Sequence, residues 1–401
     1  MQAALDLSNT QTGGLATANF VGYLTLAVVG GFLASRYGPR RVVSISMLVV
    51  GVTMVLTGLA NSFQGALVWR LLTGVGSGGS NVPVMALLPA WFAARRRGLA
   101  TGIAVGGSSV GLMITGPLVP RILDTFGEDG WRYSWFILGG FVLLLALLAF
   151  ALLRDRPAEK GLRPIAAKPS GETEAGGQPG SPQNANASPG HGDPKAARRG
   201  TSSLDWGKVY RSGAVWHLAL VYVAFGFSYI IYATFFAKYL QTEAGYTKEA
   251  AGNLWAIVGW ISIFCGLLWG TLSDLIGRKY GLALVYLTQA ASFAVFALWQ
   301  DSTGYTVSAV LFGLTAWSIP SIVAAACGDY LGSRMAPAAL GFATLFFGLG
   351  QAAGPSVAGA IADATGSFGP AFLMAAGVAL LGGVGSLLLR PPHAAVEESQ
   401  G

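Results

Sequence analysis

The chain has 401 residues, of which 53% are hydrophobic and only 11% are charged. Soluble domains carry about 25% charged residues, whereas the mean hydropathy here is +0.56. The 57 glycines are typical of closely packed membrane helices. This composition excludes most secreted, nucleic-acid-binding and soluble enzyme classes and predicts an all-α, multi-pass membrane protein. The two cysteines, Cys265 and Cys327, are not spaced for a metal site, so no metal or cofactor is predicted.

In chain order, the apolar segments divide into two groups around a polar middle. The first group has five predicted spans and the second has six, each long enough to cross a bilayer. We therefore predict an N-terminal bundle (1–156), a linker (157–212), a C-terminal bundle (213–390) and a tail (391–401). The predicted spans are 12–35, 41–61, 64–92, 98–121 and 131–153, then 213–238, 250–273, 281–299, 304–330, 336–362 and 368–389.

The linker holds seven of the 18 prolines among Gly, Ser, Asn and charged residues. Such a segment cannot bury enough apolar surface to offset the entropy of ordering it, so we predict that most of it is disordered. Only the stretch from Ser202 to Gly213, with Trp206 and Val209 among polar residues, is expected to form a short surface helix.

The two groups of spans are related by an internal repeat. Shifting the first half by 239 residues aligns it with the second without a gap over about a hundred residues. At this offset the span 213–238 has no counterpart in the first half. We therefore interpret the chain as a twelve-helix design without its first helix, giving eleven spans. A late start codon is the preferred reason, with truncation and a natural eleven-helix form as alternatives. The matched pairs include Gly13 with Gly252, Gly31 with Gly270, Gly38 with Gly277, Arg40 with Lys279, Gly74 with Gly313 and Arg95 with Arg334.

The positions of the lysines and arginines predict the orientation of the chain. Twenty of the 25 fall in the linker or near the span ends on one side, four fall on the other side, and Arg70 lies within a span. Because basic residues accumulate on the cytoplasmic side, we predict a cytoplasmic linker and C-terminus in a bacterial inner membrane. The N-terminus is then expected to face outward.

A loop motif occurs once in each half. The first copy runs from Gly31 to Arg41 and the second from Gly270 to Lys279, each with two glycines and basic residues. Both copies resemble the signature loop of the major facilitator superfamily, which in that family follows helices 2 and 8 on the cytoplasmic side. The resemblance covers nearly the whole chain and implies two pseudo-symmetric helical bundles. The first copy departs from the family pattern at Ser35, where the family has Asp.

The resemblance implies a gating role for residues of both loops. Small glycines let neighbouring helices approach closely, and ion pairs between acidic and basic side chains hold one conformation closed. Ser35 weakens this lock in the first half, whereas Asp274 is retained in the second. The alternative is that these side chains are simply solvated loop charges. The predicted gating residues are Gly31, Arg36, Gly38, Arg40, Gly270, Asp274, Gly277, Arg278 and Asp329.

The segment Arg70–Gly78 resembles the fourth-helix motif of the same family, an arginine followed by closely spaced small residues. Arg70 is the only charged side chain that we place well within a predicted span. Ionisable residues there are costly and usually face a cavity or a partner. We therefore predict that Arg70 contacts an anionic substrate or forms a hydrogen bond that depends on conformation. The alternative is a side chain that reaches out to the membrane interface.

Polar and aromatic side chains inside other spans are further candidates for substrate binding. Asn19 and Tyr23 lie four residues apart on one face of the first remaining span, and an aromatic stripe at three- and four-residue steps runs along 213–238. Packing is the alternative role for each of these side chains. The predicted substrate-binding residues are Asn19, Tyr23, Arg70, Tyr229, Tyr232, Asn253, Trp317 and Gln351.

These features predict a secondary active or facilitative transporter, rather than an enzyme, that works by alternating access. The sequences of residues 38–43 and 130–132 resemble those of the monocarboxylate and oxalate–formate-type branches of the family. With one cation and no acid well inside the spans, a small organic anion such as a monocarboxylate is the expected solute. The alternatives are a multidrug or metabolite efflux transporter and a truncated, non-transporting relative. The expected partners are the solute, a coupling proton and the lipid bilayer, with no nucleic acid, and the protein is expected to be a monomer.

Overall fold

The computed structural model describes residues 1–92, 94–162, 165 and 206–390. Within these ranges the protein is helical, and its extended pairing is limited to one isolated bridge between Phe92 and Ile165. The predicted all-α fold is thereby confirmed. The tail and most of the linker lie outside the described residues, so the predicted disorder of the linker stays a prediction.

Five long helices form the first bundle, and their ends follow from residue type. Ser8 begins the first helix by accepting a hydrogen bond from the Gln11 amide, and Ser62 begins the third through the Gly65 amide. Pro39 opens the second helix in its first turn, where the lack of an N–H costs nothing. The helices are α1 (Asn9–Tyr37), α2 (Pro39–Gly58), α3 (Phe63–Trp91), α4 (Ala94–Phe126) and α5 (Gly130–Leu152).

The second half begins with a short helix, α6 (Trp206–Arg211), at the place where the pattern from Ser202 to Gly213 predicts one. The helices that follow are α7 (Gly213–Thr242), α8 (Lys248–Ser262), α9 (Cys265–Ile276), α10 (Arg278–Leu298), α11 (Ser302–Thr315), α12 (Ser318–Thr365) and α13 (Gly369–Leu387). Two predicted spans are broken, because α8 and α9 are bent by 43° and the span 304–330 is divided between α11 and α12. Gly332, with φ 74° and ψ 164°, interrupts α12 and separates two predicted spans.

Seven helical segments of the described chain are long and apolar enough to cross a membrane, or eight if the bent pair α8–α9 counts as one span. The protein is therefore a multi-pass membrane protein. Each of the eleven predicted spans coincides with a helical segment. The total of eleven membrane crossings nevertheless stays a prediction.

The repeat offset of 239 residues is visible in the backbone. Gly38 and Gly277, which are related by this offset, have φ of 86° and 94° and ψ of 137° and 146°. A positive φ is a conformation that glycine adopts without steric cost. The duplication therefore extends from residue types to backbone geometry. Pairs at the same offset that begin or interrupt helices are Ser8 and Thr247, Ser62 and Asp301, Gly127 and Gly366, and Gly130 and Gly369.

The two bundles meet along two equivalent seams, one between α1 and α12 and the other between α4 and α8. In the first seam, a Cβ at Gly13 would collide with the Pro355 carbonyl oxygen; in the second, a Cβ at Gly252 would collide with the Gly116 carbonyl oxygen. The offset relates Gly13 to Gly252 and Gly116 to Pro355. The backbones touch because glycine has no side chain, and the two seams are related by pseudo-twofold symmetry.

The bundles touch at one end and diverge at the other. We name the end that carries the linker the linker side and the opposite end the far side. Near the middle, Ser262 donates a hydrogen bond to Ser109 at 2.9 Å, and Leu24 packs against Gly348. Towards the linker side, a Cβ at Gly341 would meet no atom within 4 Å, and the same is true of Gly106 and Gly107. The described seams are therefore closed on the far side and open on the linker side.

The close contact between Gly252 and Gly116 in the α4–α8 seam can be tested by substitution. We expect Gly252→Ala to lower the free energy of unfolding by about 1–3 kcal/mol, because its methyl group would force α8 away from α4. Gly140→Ala is the matched control, since a Cβ at this exposed helical position meets no atom within 4 Å. Thermal denaturation of the purified protein in detergent measures both changes. An unchanged Tm for Gly252→Ala would contradict the described seam.

Candidate functional site

A polar cluster lies midway along the bundles, where α1 approaches α7 and α12. Tyr23 of α1 is near Tyr222 and Tyr229 of α7, within range of an electrostatic interaction between the hydroxyl groups. Gln351 of α12 donates a hydrogen bond from Nε2 to the Tyr229 hydroxyl oxygen. Tyr229 is 7% exposed and Gln351 is 5% exposed. The structure therefore brings together three of the predicted binding residues: Tyr23, Tyr229 and Gln351.

Stacked aromatic rings form the wall of this cluster on the side of the second bundle. Phe225 stacks on Tyr229, and Phe347 stacks on Tyr222, each pair with ring centroids 4.6 Å apart. Phe347 also stacks on Tyr229 at 5.9 Å. Offset stacking is a favoured geometry for aromatic pairs. Because neighbouring rings hold it in place, the Tyr229 hydroxyl has a fixed position in the cluster.

Trp317 joins the cluster because the helix breaks at its position. Its φ of −115° and ψ of 14° are not helical, and its amide donates to the Cys265 sulfur at 3.4 Å. The indole ring meets Tyr229 edge-on, with ring centroids 6.3 Å apart. Its Nε1 is buried and has no hydrogen-bond partner in the described part of the chain. A fourth predicted binding residue therefore contributes an unused donor.

Asn19 lies one helical turn from Tyr23, so both side chains project from the same face of α1. The Asn19 carbonyl contacts the backbone at Gly74, where a Cβ would collide with it, and this holds α1 against α3. The side-chain Oδ1 of Asn19 is buried and accepts no hydrogen bond from any residue that the structure describes. Asn19 is thus a second predicted binding residue with an unused polar atom.

Arg70 lies on α3, one turn from Gly74. Its guanidinium stands over the Trp135 ring of α5, with Cζ 4.9 Å from the ring centroid. The side chain is partly buried, and no carboxylate in the described ranges forms an ion pair with it. An unpaired cation in this environment keeps its charge available to an anion. No contact described for Arg70 joins it to Tyr229 or Gln351.

The structure places two predicted binding residues outside this cluster. Tyr232 is fully buried inside the second bundle, where its hydroxyl oxygen lies 2.7 Å from Ser308 Oγ and its ring packs on Phe312. Its geometry favours packing, the alternative role. Asn253 is exposed on α8, beside the seam residue Gly252. The aromatic stripe of α7 is therefore divided between the seam and the interior of the second bundle.

The second copy of the loop motif forms a compact charge cluster. Arg278 pairs with Asp274, and its Nε lies 2.8 Å from Asp329 Oδ2. Its Nη1 also donates to Ser273 Oγ at 2.8 Å. Because both acids are largely exposed, each pair contributes about 1 kcal/mol or less to stability. A Cβ at Gly270 would meet no atom within 4 Å, so the close helix approach expected there is not made while the linker side is open.

The first copy of the motif is held by an acid that sequence reasoning missed. Asp155, which follows α5, accepts a hydrogen bond from the Arg40 amide at 2.7 Å and contacts Gly38. Arg40 in turn donates from Nε and Nη2 to the Phe150 carbonyl at 2.8 and 2.6 Å. Arg36 is exposed, and no described acid pairs with it. A distant segment therefore supplies the carboxylate that the motif itself lacks.

Sequence reasoning also missed the residues that close the far side. Asp363 of α12 accepts hydrogen bonds from the Asn9 amide at 2.9 Å, the Thr10 amide at 2.8 Å and the Thr10 hydroxyl at 2.6 Å. Its carboxylate thereby caps free amides in the first turn of α1, in the other bundle. Lys238 of α7 donates to the side-chain oxygens of Asn9 and Gln2. One signal in the sequence could have identified Asp363. It is an acid in the last turn of a span, where a negative charge interacts unfavourably with the dipole of its own helix.

The α4–α8 seam carries an equivalent far-side contact. Asp124 and Lys248 correspond to Asp363 and Asn9 at the 239-residue offset, and the Lys248 ammonium lies 3.4 Å from the Asp124 carboxylate. Both side chains of this pair are about half exposed, so it is weaker than the capped helix end at Asp363. An acid at the same position of each repeat thus contributes to far-side closure.

We expect Asp363→Asn to favour opening of the far side, because the amide lacks the charge that strengthens three hydrogen bonds to α1. Hydrogen bonds to charged groups contribute about 1.5–3 kcal/mol. Spin labels at Leu59→Cys and Thr303→Cys, exposed positions on the far side of the two bundles, report the distance between them. A longer distance is expected in Asp363→Asn. Glu128→Gln, an exposed far-side acid, is the control, and an identical distance distribution in all variants would refute the role of Asp363.

Comparisons with known proteins agree with this architecture. The sequence profile of the Major Facilitator Superfamily matches residues 1–299 and 239–401. A solved structure described as a bacterial homologue of the human lysosomal transporter Spinster, inward-facing and occupied, has a TM-score of 0.67. It is 17% identical, and the match covers 100% of this chain and 90% of that one. At this identity the likeness supports the fold alone.

Three curated relatives are similar over most of their length. The "Probable sulfoacetate transporter SauU" of Cupriavidus necator is 26% identical over 96% of this chain and 86% of its own. The "Hexuronate transporter" of Bacillus subtilis is 26% identical over 95% of this chain and 86% of its own. "Monocarboxylate transporter 2" of Homo sapiens is 25% identical over 85% of this chain and 69% of its own.

The profile match covers both halves of the chain, as do the repeated loop and the paired seams. The family suggested by the loop motif is thereby confirmed. The chain belongs to the Major Facilitator Superfamily and is a transporter rather than an enzyme.

Proposed function

We propose that this protein carries a small organic anion across a membrane by alternating access, acting as a monomer. The supporting observation is the chemical character of the groups between the bundles. Tyr23, Tyr229 and Trp317 bring hydrogen-bond donors to the cluster, and Arg70 adds positive charge in the first bundle. Every acid in the described ranges lies in a loop, near a helix end or, for Asp329, beside the interruption of α12 at Gly332. This environment favours a negatively charged solute over a cation.

The names of the relatives support the same class of solute. Sulfoacetate, hexuronate and monocarboxylates, named in the three curated transporters, differ in size but share at least one anionic group. Their common property is therefore charge rather than shape. We propose the same property for the solute of this protein.

The mechanism follows from the two seams. In the described conformation the solute reaches the polar cluster from the linker side, where the bundles diverge. Rocking of one bundle against the other would separate Asp363 from α1 and Asp124 from Lys248. The same movement would bring the linker ends together, near Arg278. Alternating access then needs no deformation inside either bundle beyond these helix ends.

Arg70 provides the test of anion transport. We expect Arg70→Gln to reduce the initial rate of uptake of labelled lactate into proteoliposomes at least about tenfold, because a change of 1.4 kcal/mol in binding corresponds to that factor. Arg70→Lys, which keeps the charge, should recover part of the rate. Arg121→Gln, which removes an exposed cation near the far end of α4, is the matched control.

The same assay includes a panel of organic anions and lipophilic cations. Uptake of anions that is unchanged in Arg70→Gln would contradict the role of this residue. Uptake of lipophilic cations without anions would contradict the proposed solute class and favour the efflux alternative. A coupling proton would be detected as acceleration of anion uptake by an imposed pH gradient.

We propose further that the linker side faces the cytoplasm of a bacterial inner membrane, since it carries most of the basic residues. A membrane-impermeant thiol reagent should label Thr303→Cys in intact cells. It should label Lys160→Cys, an exposed residue after α5, only after permeabilisation. The reverse pattern would contradict this orientation; Cys265 and Cys327 are buried and provide the unreactive background.

A further inference from the structure

Two cavities on the linker side occupy equivalent places in the two repeats. One lies at the turn between α1 and α2 and is lined by Gly38, and the other lies at the turn between α9 and α10 and is lined by Gly277. The first has a volume of about 850 Å³ and the second about 300 Å³. We name the larger one the first-loop cavity. Positions related by the repeat therefore enclose very different amounts of space.

Three differences in residue type explain the larger volume. In the second bundle, the Arg278 side chain lies between the carboxylates of Asp274 and Asp329 and forms an ion pair with each. The first bundle has smaller, uncharged residues at all three equivalent positions. These residues are Pro39 for Arg278, Ser35 for Asp274 and Ala90 for Asp329. The charge cluster that occupies the second cavity therefore has no counterpart in the first-loop cavity.

The first-loop cavity is nevertheless rich in charge, because Arg40, Arg41 and Arg156 line it. Its two acids are already used by main-chain amides. Asp155 accepts from the Arg40 amide at 2.7 Å, and Glu159 accepts from the Arg156 amide at 3.1 Å. The side chains of Arg41 and Arg156 are exposed, and neither forms an ion pair with an acid in the described part of the chain. Two guanidinium groups are thus available to an anion inside one cavity.

An apolar groove of about 310 Å³ continues from this cavity between α1 and α2. Both helices pack closely on α3 but only lightly on each other, which leaves the groove between them. Tyr37 and Arg41 line the cavity and the groove alike. Away from the linker side the lining is mostly apolar and includes Leu33, Ile45 and Val49. The groove extends over two turns of α2, about 12 Å, and Ile45, which is 62% exposed, faces outward from a helix that is apolar enough to cross a membrane.

We propose that the first-loop cavity and its groove bind one anionic phospholipid from the leaflet on the linker side. The phosphate accepts hydrogen bonds from Arg41 and Arg156, and one acyl chain lies in the groove against Ile45. Guanidinium groups match phosphate in shape as well as in charge. A soluble phosphate compound would leave the groove empty, and a zwitterionic lipid would bring a second positive charge towards the arginines. In the proposed orientation this is the cytoplasmic leaflet, which contains anionic lipids.

The bound lipid would take over a structural role that side chains perform in the second bundle. There, Arg278 connects the α9–α10 turn to Asp329 of α12. In the first bundle, Arg41 lies in the first turn of α2 and Arg156 follows α5. A phosphate held by both arginines would connect these two helix ends in the same way.

Lipid binding to the purified protein in detergent, measured by native mass spectrometry, tests this site. Dioleoylphosphatidylglycerol is titrated against dioleoylphosphatidylcholine, which has the same acyl chains and no net charge. We expect one phosphatidylglycerol molecule to bind at least about tenfold more tightly than phosphatidylcholine. The double variant Arg41→Gln, Arg156→Gln should lose most of this preference. Lys279→Gln is the matched control, because it removes a basic residue from the equivalent cavity of the second bundle, and it should keep the preference.

Two further measurements distinguish a lipid from a soluble phosphate compound. Ile45→Trp places a large ring in the groove, so the affinity for phosphatidylglycerol should fall at least about tenfold. Glycerol 3-phosphate, which has the phosphate without the acyl chains, should not displace phosphatidylglycerol at equal concentration. Arg156→Gln alone changes an exposed residue outside the long helices. It should lose part of the preference and replaces the double variant if that variant does not fold.

Several outcomes would overturn the proposed site. Equal affinity for the two lipids in the intact protein would do so, as would a full preference in the double variant, or in Arg156→Gln in its place. An equal loss in Lys279→Gln would show a general effect of charge rather than a site. Displacement by glycerol 3-phosphate, or unchanged affinity in Ile45→Trp, would overturn the assignment to a lipid.

Discussion

At Gly13 and Gly252, main-chain atoms of one bundle touch main-chain atoms of the other, and these two contacts determine how the bundles are placed against each other. Gly13 against Pro355 and Gly252 against Gly116 leave no space for a side chain, so α1 and α12, and likewise α8 and α4, approach as closely as helices can. These contacts fix the far-side halves of the bundles in register. Because the bundles diverge beyond the middle, the same contacts also determine where the interior opens. The polar cluster lies near the point at which the seams separate, and this is the position an alternating-access site requires.

The two bundles share a plan but contribute different chemistry to the cluster. At the repeat offset, Trp317 corresponds to Gly78, and Cys265, whose sulfur meets the Trp317 amide, corresponds to Leu26. The first bundle has continuous helices α1 and α3 at these positions, whereas the second has breaks that redirect side chains into the interior. The second bundle therefore provides neutral donors on a rigid aromatic wall. The first provides a cation at Arg70 and the side-chain amide of Asn19. In the proposed mechanism, such a division lets a solute contact both bundles at once.

Much of the fold follows from the sequence, because hydropathy, helix-capping residues and a gap-free repeat all act locally or at one constant spacing. The left-handed turns at Gly38 and Gly277 are examples, since only glycine adopts them easily. The long-range polar contacts are less predictable. Asp155 and Asp363 act on helices more than a hundred residues away, and no local pattern marks such partners. The helix break at Trp317 had one local signal, Pro320, which has no N–H to donate to the Ala316 carbonyl four residues before it. The site was therefore only partly predictable: its residues could be named individually, but their grouping depends on tertiary packing.

The paired glycines have a consequence for how the two repeats diverge over time. Duplicated halves accumulate different side chains wherever no backbone contact between the bundles constrains them, as the contrast between Trp317 and Gly78 illustrates. At Gly13 and Gly252 that freedom ends, because a substitution in one seam would tilt the shared axis and misalign the other. Each glycine is thus constrained by the other seam as well as by the one in which it lies. Substitutions at the two seams are therefore coupled through the pseudo-twofold axis. The loss of close packing in one seam is compensated most directly by a matching substitution in the other.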